Sequence, residues 1–419
     1  MKLCRLTLAI GLTAASTATF AGPQAFNSAR SFAMGGTGVA IAQPATANSA
    51  NPAMLASQQH EWADDFGLMI PSVNARFADE EEVVDQIDDI QDNIDSLEGM
   101  INNLNSGDDV SDAQIAAGQL RDQLDRFNRD TVRIDAGAGI SLAIPSPRLA
   151  VGFFANGSVR GTVRGELNDD DLAFLDTLAN AADADDLIGI DLESELESRG
   201  RVLASAVIET GVSLGRSFDF GLENPLQLGV SPKYVQLRTY NYSTGINDFD
   251  DEDFDGKDYE TTKSGFNFDL GAAYAFGDQR QWNAGAAIKN VIPMELDSVD
   301  SLEGKRTFEL NPKVTVGLAH TGNFHALTAE VDLTKQKAFG FEDDTQWVAI
   351  GAELDAFRFA QLRFGARHNI ASNDDNSGVE ETTQFTAGLG LSPFGARLDL
   401  AALVSDADLG AAIEFGVAF

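Results

Sequence analysis

Three stretches of this sequence place reactive or ligand-holding residue types at familiar spacings. Met34-Gly35-Gly36-Thr37-Gly38 has the composition of a loop whose backbone N–H groups cradle a phosphate. A dinucleotide cradle also needs a preceding strand, a following helix and a parallel βαβ unit, and the flanking residues offer none of these. Gly211-Val-Ser213-Leu-Gly215 matches the G-x-S-x-G of a nucleophile elbow, which requires a strand, a sharp turn and then a helix. Here the motif sits inside an alternating run that continues toward Phe218 and Phe220, so no catalytic residue is expected and the chain reads as a non-enzyme. Asp251-Glu-Asp253-Phe-Asp255-Gly256 copies the first half of a calcium loop, but its twelfth position is Thr262 instead of a bidentate Glu. Asn373, Asp375, Ser377 and Gly378 echo the same pattern with Gln384 twelfth. Both read as solvated acidic loops, with Asp251, Asp253 and Asp255 the candidates for a low-affinity Ca2+ site. No other cofactor is expected. His60, His320, His325 and His368 have no zinc-binding spacing.

Composition narrows the classes further. Acidic residues outnumber basic ones 65 to 29 in 419 residues, and a formal charge of -36 repels phosphate backbones, so a nucleic-acid partner is not expected. With 43% hydrophobic residues and 27 Phe the chain can bury enough apolar surface to fold. Lys2 and Arg5, the apolar run 6–15 and Thr19-Phe20-Ala21 come in the order of an export signal, which assigns 1–21 to a signal peptide. Cleavage there removes Cys4, the single cysteine, and with it thiol and disulfide chemistry. No later run of 18 apolar residues exists to form a spanning helix, which leaves a soluble exported protein or a membrane β-barrel.

The elements decide between these. From residue 132 onward the hydrophobic period is two. Ile134, Ala136, Ala138, Ile140, Leu142 and Ile144 share one face, opposite Arg133, Asp135, Gly137, Gly139 and Ser141. The pattern predicts strands near 65–77, 132–145, 149–161, 201–217, 226–241, 263–276, 281–292, 309–320, 324–334, 345–355, 358–370, 382–392, 396–405 and 409–419. That is about fourteen, most of them near or above the length a tilted membrane strand needs. Their connections alternate long and short, as the outer loops and periplasmic turns of an up-and-down barrel do. The final "GAAIEFGVAF" ends in an aromatic residue on the apolar face and resembles the signal by which the barrel-assembly machinery recognises its clients. The expected fold is all-β: a transmembrane antiparallel barrel with apolar residues toward outer-membrane lipid and polar ones toward the lumen.

Charged residues on the lipid face would be strongly unfavourable. Asp269, Lys313, Glu330, Asp332, Glu353, Arg363, Arg367, Arg397, Asp399 and Glu414 are therefore placed in the lumen, where they form a cross-strand ladder or line a channel. Pro232 falls within a strand, deletes a ladder hydrogen bond and predicts a kink that opens the wall. Two insertions are not strands. In 78–131, Val83, Ile87, Ile90, Ile94, Leu97, Ile101 and Leu104 alternate spacings of four and three, and Ile115, Leu120, Leu124 and Phe127 follow the break at 105–109, predicting a helical hairpin with its own core. The second insertion, 162–200, is acidic with short helical patches. Both belong to the outer side, facing lipopolysaccharide. The segment 22–64, made largely of small residues, is read as an N-terminal plug inside a barrel spanning 65–419.

A resemblance follows from these residues. Ala33-Met-Gly-Gly36 and Asn51-Pro52-Ala53 resemble the "A-M-G-G" and "N-P-A" elements that begin FadL-like outer-membrane proteins. "GVSPKYVQLRTYNY" at 229–242, "GAAIKNVIP" at 285–293, "AEVDLTK" at 329–335 and "LRFGARHNI" at 362–370 resemble the conjugal-transfer TraF-like family of outer-membrane proteins. That family is distinct from the thioredoxin-like TraF, and the absence of a C-x-x-C agrees. The resemblance implies a fourteen-stranded barrel in the Gram-negative outer membrane, closed by a plug that includes Gly35, Gly36, Gly38, Asn51, Pro52 and Ala53. It implies a passive channel or binding protein for small hydrophobic compounds, with a wall gap in some relatives. The alternative is a surface-contact protein with conjugation partners.

Overall fold

Each apolar stripe of the alternating segments faces outward, and the strands carrying them join edge to edge into a closed ring with no free edge. The computed structural model describes residues 27–57, 66–79, 83–245, 257–301, 304–356, 359–373 and 378–418. Residues 1–21, expected from the sequence to be a signal peptide, the ends of the expected plug segment and Asp251, Asp253 and Asp255 lie outside the described residues.

The wall consists of β1 (Phe66–Asp79), β2 (Thr131–Ile144), β3 (Ala150–Glu166), β4 (Arg199–Phe218), β5 (Leu226–Gly245), β6 (Glu260–Phe276) and β7 (Trp282–Lys289). A small hairpin, β8 (Met294–Asp297) with β9 (Thr307–Leu310), stands apart from it. The wall resumes with β10 (Lys313–Thr321), β11 (His325–Asp332), β12 (Trp347–Ala356), β13 (Ala360–Asn369), β14 (Thr383–Leu391), β15 (Ala396–Val404) and β16 (Asp408–Ala418). Neighbours in sequence are antiparallel neighbours in space, β7 pairs with β10, and β1 pairs with both β2 and β16 to close fourteen strands.

The structure corrects one strand at its start. The segment expected to run from 309 to 320 is divided, with 307–310 in the hairpin and the wall strand starting at Lys313. The preceding strand stops at Lys289 because Asn290 takes a left-handed φ of 54°.

The burial pattern is that of a soluble protein turned inside out. Phe266 is 75% and Ile350 60% exposed on the outer face, whereas Arg363 and Asp399 are fully buried inside. Only a hydrocarbon solvent makes that distribution favourable. At the short-turn end the Trp282 ring lies 6.3 Å from Phe276 and 4.7 Å from His320, centroid to centroid, part of an interfacial aromatic girdle. Loop length segregates by end, with every long connection on the side opposite these turns.

The first long connection forms helices Val83–Asn102 and Ser111–Phe127, and the second forms Asp169–Ala179 and Leu192–Glu195. They share one core, in which Ile94, Leu97, Leu120 and Leu124 meet Leu175, Leu178 and Leu187. The stripe of the second helix differs from expectation. Ala113, Ala117, Leu120, Leu124 and Phe127 carry the four-and-three spacing inward, so Ile115 is 59% exposed. Phe127 anchors the lobe to the wall, its ring occupying the space where Gly165 has no side chain.

Candidate functional site: a plugged lumen and an interrupted wall

The plug is built from short elements with little side-chain bulk. Helix Ala29–Ala33 is capped by Ser28 Oγ, Pro44 starts helix Pro44–Ala50, and a 3-10 turn covers Pro52–Ala56. Gly35 and Gly36 turn the chain between them at φ 73° and 84°, which a side chain would resist. The wall receives this backbone at its own glycines. A Cβ on Gly229 would lie 2.3 Å from the Pro52 carbonyl carbon, and one on Gly365 2.1 Å from the Gly35 nitrogen. The inward glycines of the alternating pattern are indentations into which the plug fits.

The glycine-rich loop does cradle an anion, and the anion is the wall's own carboxylate. Glu330 Oε1 accepts hydrogen bonds from the backbone N–H groups of Gly38 (2.8 Å) and Val39 (2.7 Å). Gly35 N–H donates to Thr386 Oγ1 at 3.0 Å, so this donor too is directed at the barrel. Asn51 Nδ2 donates to Val39 O and to Ala272 O in β6, while its Oδ1 accepts from Ala53 N–H. Gly38 packs against Ala50, and Pro52 and Ala53 abut Gly229 and Gly271.

The ten lumen residues read from the sequence all project inward, and they group with others that sequence reasoning missed. Beside the plug, Glu353 takes Arg30 in a two-pronged contact (2.8 and 3.0 Å) and Arg363 at 2.5 Å. Asp399 then joins Arg363 (2.5 Å) to Arg397 (2.6 Å). Glu414 accepts from Ala29 N–H and from Ser72 Oγ. A second group holds Lys233 between Glu209 (2.6 Å) and Asp269 (2.7 Å). A third lies toward the long loops. There Arg76 and Arg133 both bind Glu381 and Asp408, and Arg160 spans Asp135 (2.5 Å) and Glu342 (3.0 Å). Lys313 pairs with Asp332 at 2.9 Å, and Arg367 lies over the Trp347 ring with its Nε on Gln384.

Arg76, Arg133, Asp135, Arg160, Glu209, Lys233 and Asp408 were findable by the inward parity of their strands. Arg30, Glu342 and Glu381 were not, because plug and loop residues carry no period. Burial alone pushes the Glu381 carboxyl up, but Arg133 and Arg76 outweigh it and hold the group well below the usual carboxylate range. Glu342 is pushed up by burial despite Arg160 and Arg133.

The wall is not uniform. Pairing between β4 and β5 stops at Gly211↔Lys233 and resumes, in the same register, at Leu214↔Val230. Pro232 lies in that interval, has no N–H to give, and aims its carbonyl at β4. It stays paired with Phe268 of β6, so the irregularity expected at Pro232 is a loss of pairing on the β4 side alone. Pro71, in β1, sits in a second irregularity between Met69 and Ser72 that the sequence reading missed. Between these prolines the outer wall holds an apolar cavity of about 590 Å³. Ile70, Phe153, Pro232, Tyr234 and Phe266 line it from outside, and Phe154 and Lys233 reach it from within. The Phe154 ring lies where a Cβ on Gly211 would be 2.7 Å away. Above the break the lumen side carries an apolar cluster next to the Lys233–Glu209 pair and the guanidiniums of Arg164, Arg201 and Arg306 over Phe341. Val207 and Val235 pack with Met294, Phe308, Phe339 and Phe341 from the long loops. Gly211 to Gly215 are strand throughout, without the turn and helix of a nucleophile elbow.

Residues 49–333 match the protein family described as "F plasmid transfer operon, TraF, protein". The chain belongs to this family. Solved structures give the TraF-family barrel its architectural kin. The P. putida toluene transporter TodX matches with a TM-score of 0.52 at 13% identity, over 94% of this chain and 99% of that one. The Ralstonia pickettii toluene transporter TbuX matches at 0.51 and 14%, over 94% and 98%. A Pseudomonas aeruginosa FadL homologue matches at 0.50 and 10%, over 95% and 99%. At these identities the likeness is one of fold, a FadL-type barrel. No curated protein matches the chain.

Proposed function

We propose that this TraF-family barrel lies in the Gram-negative outer membrane and passes a small hydrophobic compound from the exterior sideways into the bilayer. The observation that carries this reading is the broken β4–β5 ladder opening onto an apolar cavity of about 590 Å³. The plug closes the axis with hydrogen bonds and ion pairs that an apolar solute cannot replace. The seam from Phe339 and Phe341 past Val207 and Val235 offers apolar side chains on the way to the break, where the Lys233–Glu209–Asp269 triad lies beside the path. The printed names of TodX and TbuX as toluene transporters support monoaromatic hydrocarbons as the first compounds to test.

A disulfide across the break tests it. Val212 and Pro232 fall opposite each other when the register on either side of the break is continued through it, which places them at the spacing of neighbouring strands. In a V212C/P232C protein in liposomes, toluene uptake should fall on oxidation and return with reductant. Equal uptake in both states would sink the proposal.

The family description favours a second reading, a surface-contact protein tied to conjugation, with the acidic helical lobe as contact face. Replacing 83–127 by a short turn should then lower mating and leave uptake unchanged.

A further inference from the structure

The inner side of the wall break is shut by side chains that differ in how firmly they are held. Val212 and Ser213 on β4, with Ser231 and Pro232 on β5, fall between the paired positions Gly211↔Lys233 and Leu214↔Val230. On the short-turn side, Ser213 Oγ and Ser231 Oγ, both fully buried, share a hydrogen bond of 2.7 Å across the interval. On the long-loop side, Lys233 is held by Glu209 at 2.6 Å and Asp269 at 2.7 Å. Beside them stands the Phe154 ring of β3.

Phe154 lies on the inward parity of its strand and is 4% exposed, yet it lines the apolar cavity of the outer wall. An inward side chain reaches an outer cavity where the wall between them is interrupted. Its ring occupies the notch left by Gly211, where a Cβ would lie 2.7 Å from the ring and 2.8 Å from the Pro232 carbonyl oxygen. Gly229, Gly285 and Gly365 receive plug backbone in the equivalent space. The notch at Gly211 is filled by the wall's own side chain, next to the lapse in the ladder.

Displacing Lys233 would break two ion pairs, and parting the serines would cost a hydrogen bond. The ring is held by packing alone and can turn between staggered wells. A ring that turns aside uncovers no more space than it filled, so the opening is flat and one phenyl ring wide. Toluene presents such an end. 1,3,5-Trimethylbenzene is as flat, but a methyl on every second carbon leaves it no narrow direction.

We propose that Phe154 is the gate and the selectivity-determining residue of this exit, admitting flat hydrocarbons with one narrow end and holding back those broad on every side. The inference rests on the sideways passage proposed above and adds the residue that decides which compounds use it. Lys233 stays on its two carboxylates throughout, so opening the gate leaves no unpaired charge beside the solute.

The test offers labelled toluene and 1,3,5-trimethylbenzene separately to a Gram-negative host carrying the full-length barrel, with the barrel-free host as baseline. The parent should take up toluene about tenfold or more faster than trimethylbenzene, the usual discrimination for a methyl-sized difference in an apolar site. Phe154→Ala should raise trimethylbenzene uptake by about tenfold and toluene uptake by less. Phe154→Leu, which keeps more of the side chain, should shift the ratio the same way by a smaller factor, and it serves if Phe154→Ala fails the heat-modifiable mobility check. Ion conductance in planar bilayers should stay at the parent's level, because a filter has changed and the plug has not. A ratio unmoved in folded variants, equal uptake of both compounds by the parent, or a ratio that closes only with raised conductance would each overturn the gate while leaving sideways passage standing. Toluene uptake no faster than the barrel-free host would remove the passage and the gate together.

Discussion

Two arcs of the same wall are built on opposite plans. From β12 to β16 the ladder is in continuous register, and the inner face is wired to the plug through Arg30, Glu353, Arg363 and Asp399. From β4 to β6 the ladder is broken at Pro232 and backed by an aromatic ring over a glycine. Above the break its inner face adds the apolar cluster of Val207, Val235, Phe339 and Phe341. The first arc commits its polar groups to holding the plug still. The second carries a triad, Lys233 with Glu209 and Asp269, that ties strand to strand beside the break. On the proposed reading, a barrel that holds its plug shut while admitting an apolar compound separates these tasks around its circumference.

That contrast can be broken from either side, and the largest effect is expected at the wired arc. Glu353→Ala leaves Arg30 and Arg363 buried with one partner fewer, which should lower stability by about 3–5 kcal/mol. Loss of heat-modifiable mobility at lower temperature, together with raised ion conductance in planar bilayers, would show the plug loosened. Next comes Gly229→Val, whose side chain meets the Pro52 backbone with nothing flexible to yield. It should cost about 1–3 kcal/mol and also raise conductance. Conductance unchanged by both variants would mean that the plug is held by other contacts. A smaller effect of opposite sign belongs to the broken arc. Pro232→Val restores a donor, should raise stability by about 1 kcal/mol in denaturant melts, and should slow toluene uptake. Faster uptake would reverse the roles assigned to the two arcs.

The smallest effect concerns pH at the long-loop end. Glu381 has a folded-state pKa depressed below its ordinary 4.5, so its stabilising contribution is present above that value and disappears as pH falls through the folded one. Melting temperature should therefore hold on acidification to pH about 5 and decline only in stronger acid, and Glu381→Gln should flatten that decline. A decline that begins near neutrality would point to a different group.

The alternation made each wall strand legible, because a period of two sustained over a whole segment is what a strand with one apolar and one polar face imposes. It misled where the lipid ends. On β5, Val235 and Leu237 turn inward to the loop core while Gln236 and Arg238 face out, so the strand runs to Gly245, beyond the apolar outer stripe. The β8–β9 hairpin was too short to separate from the strand it precedes. The plug was legible as a run of small residues next to a barrel, but its fastening was not. Nothing in the spacing of Arg30 or Glu330 shows that one reaches Glu353 and the other the N–H groups of residues 38 and 39. Those contacts join positions some 300 residues apart and exist only once the ring has closed.

Glu414 has a consequence for biogenesis. It sits on the last strand, and its carboxylate receives Ser72 of the first strand and the Ala29 N–H at the start of the plug. The final stitch of the cylinder is thus shared with the stopper. Because the wall is dented to the stopper's own outline, seating the stopper and closing the ring are not independent: one carboxylate fastens both, and losing it would loosen the seam and the stopper together.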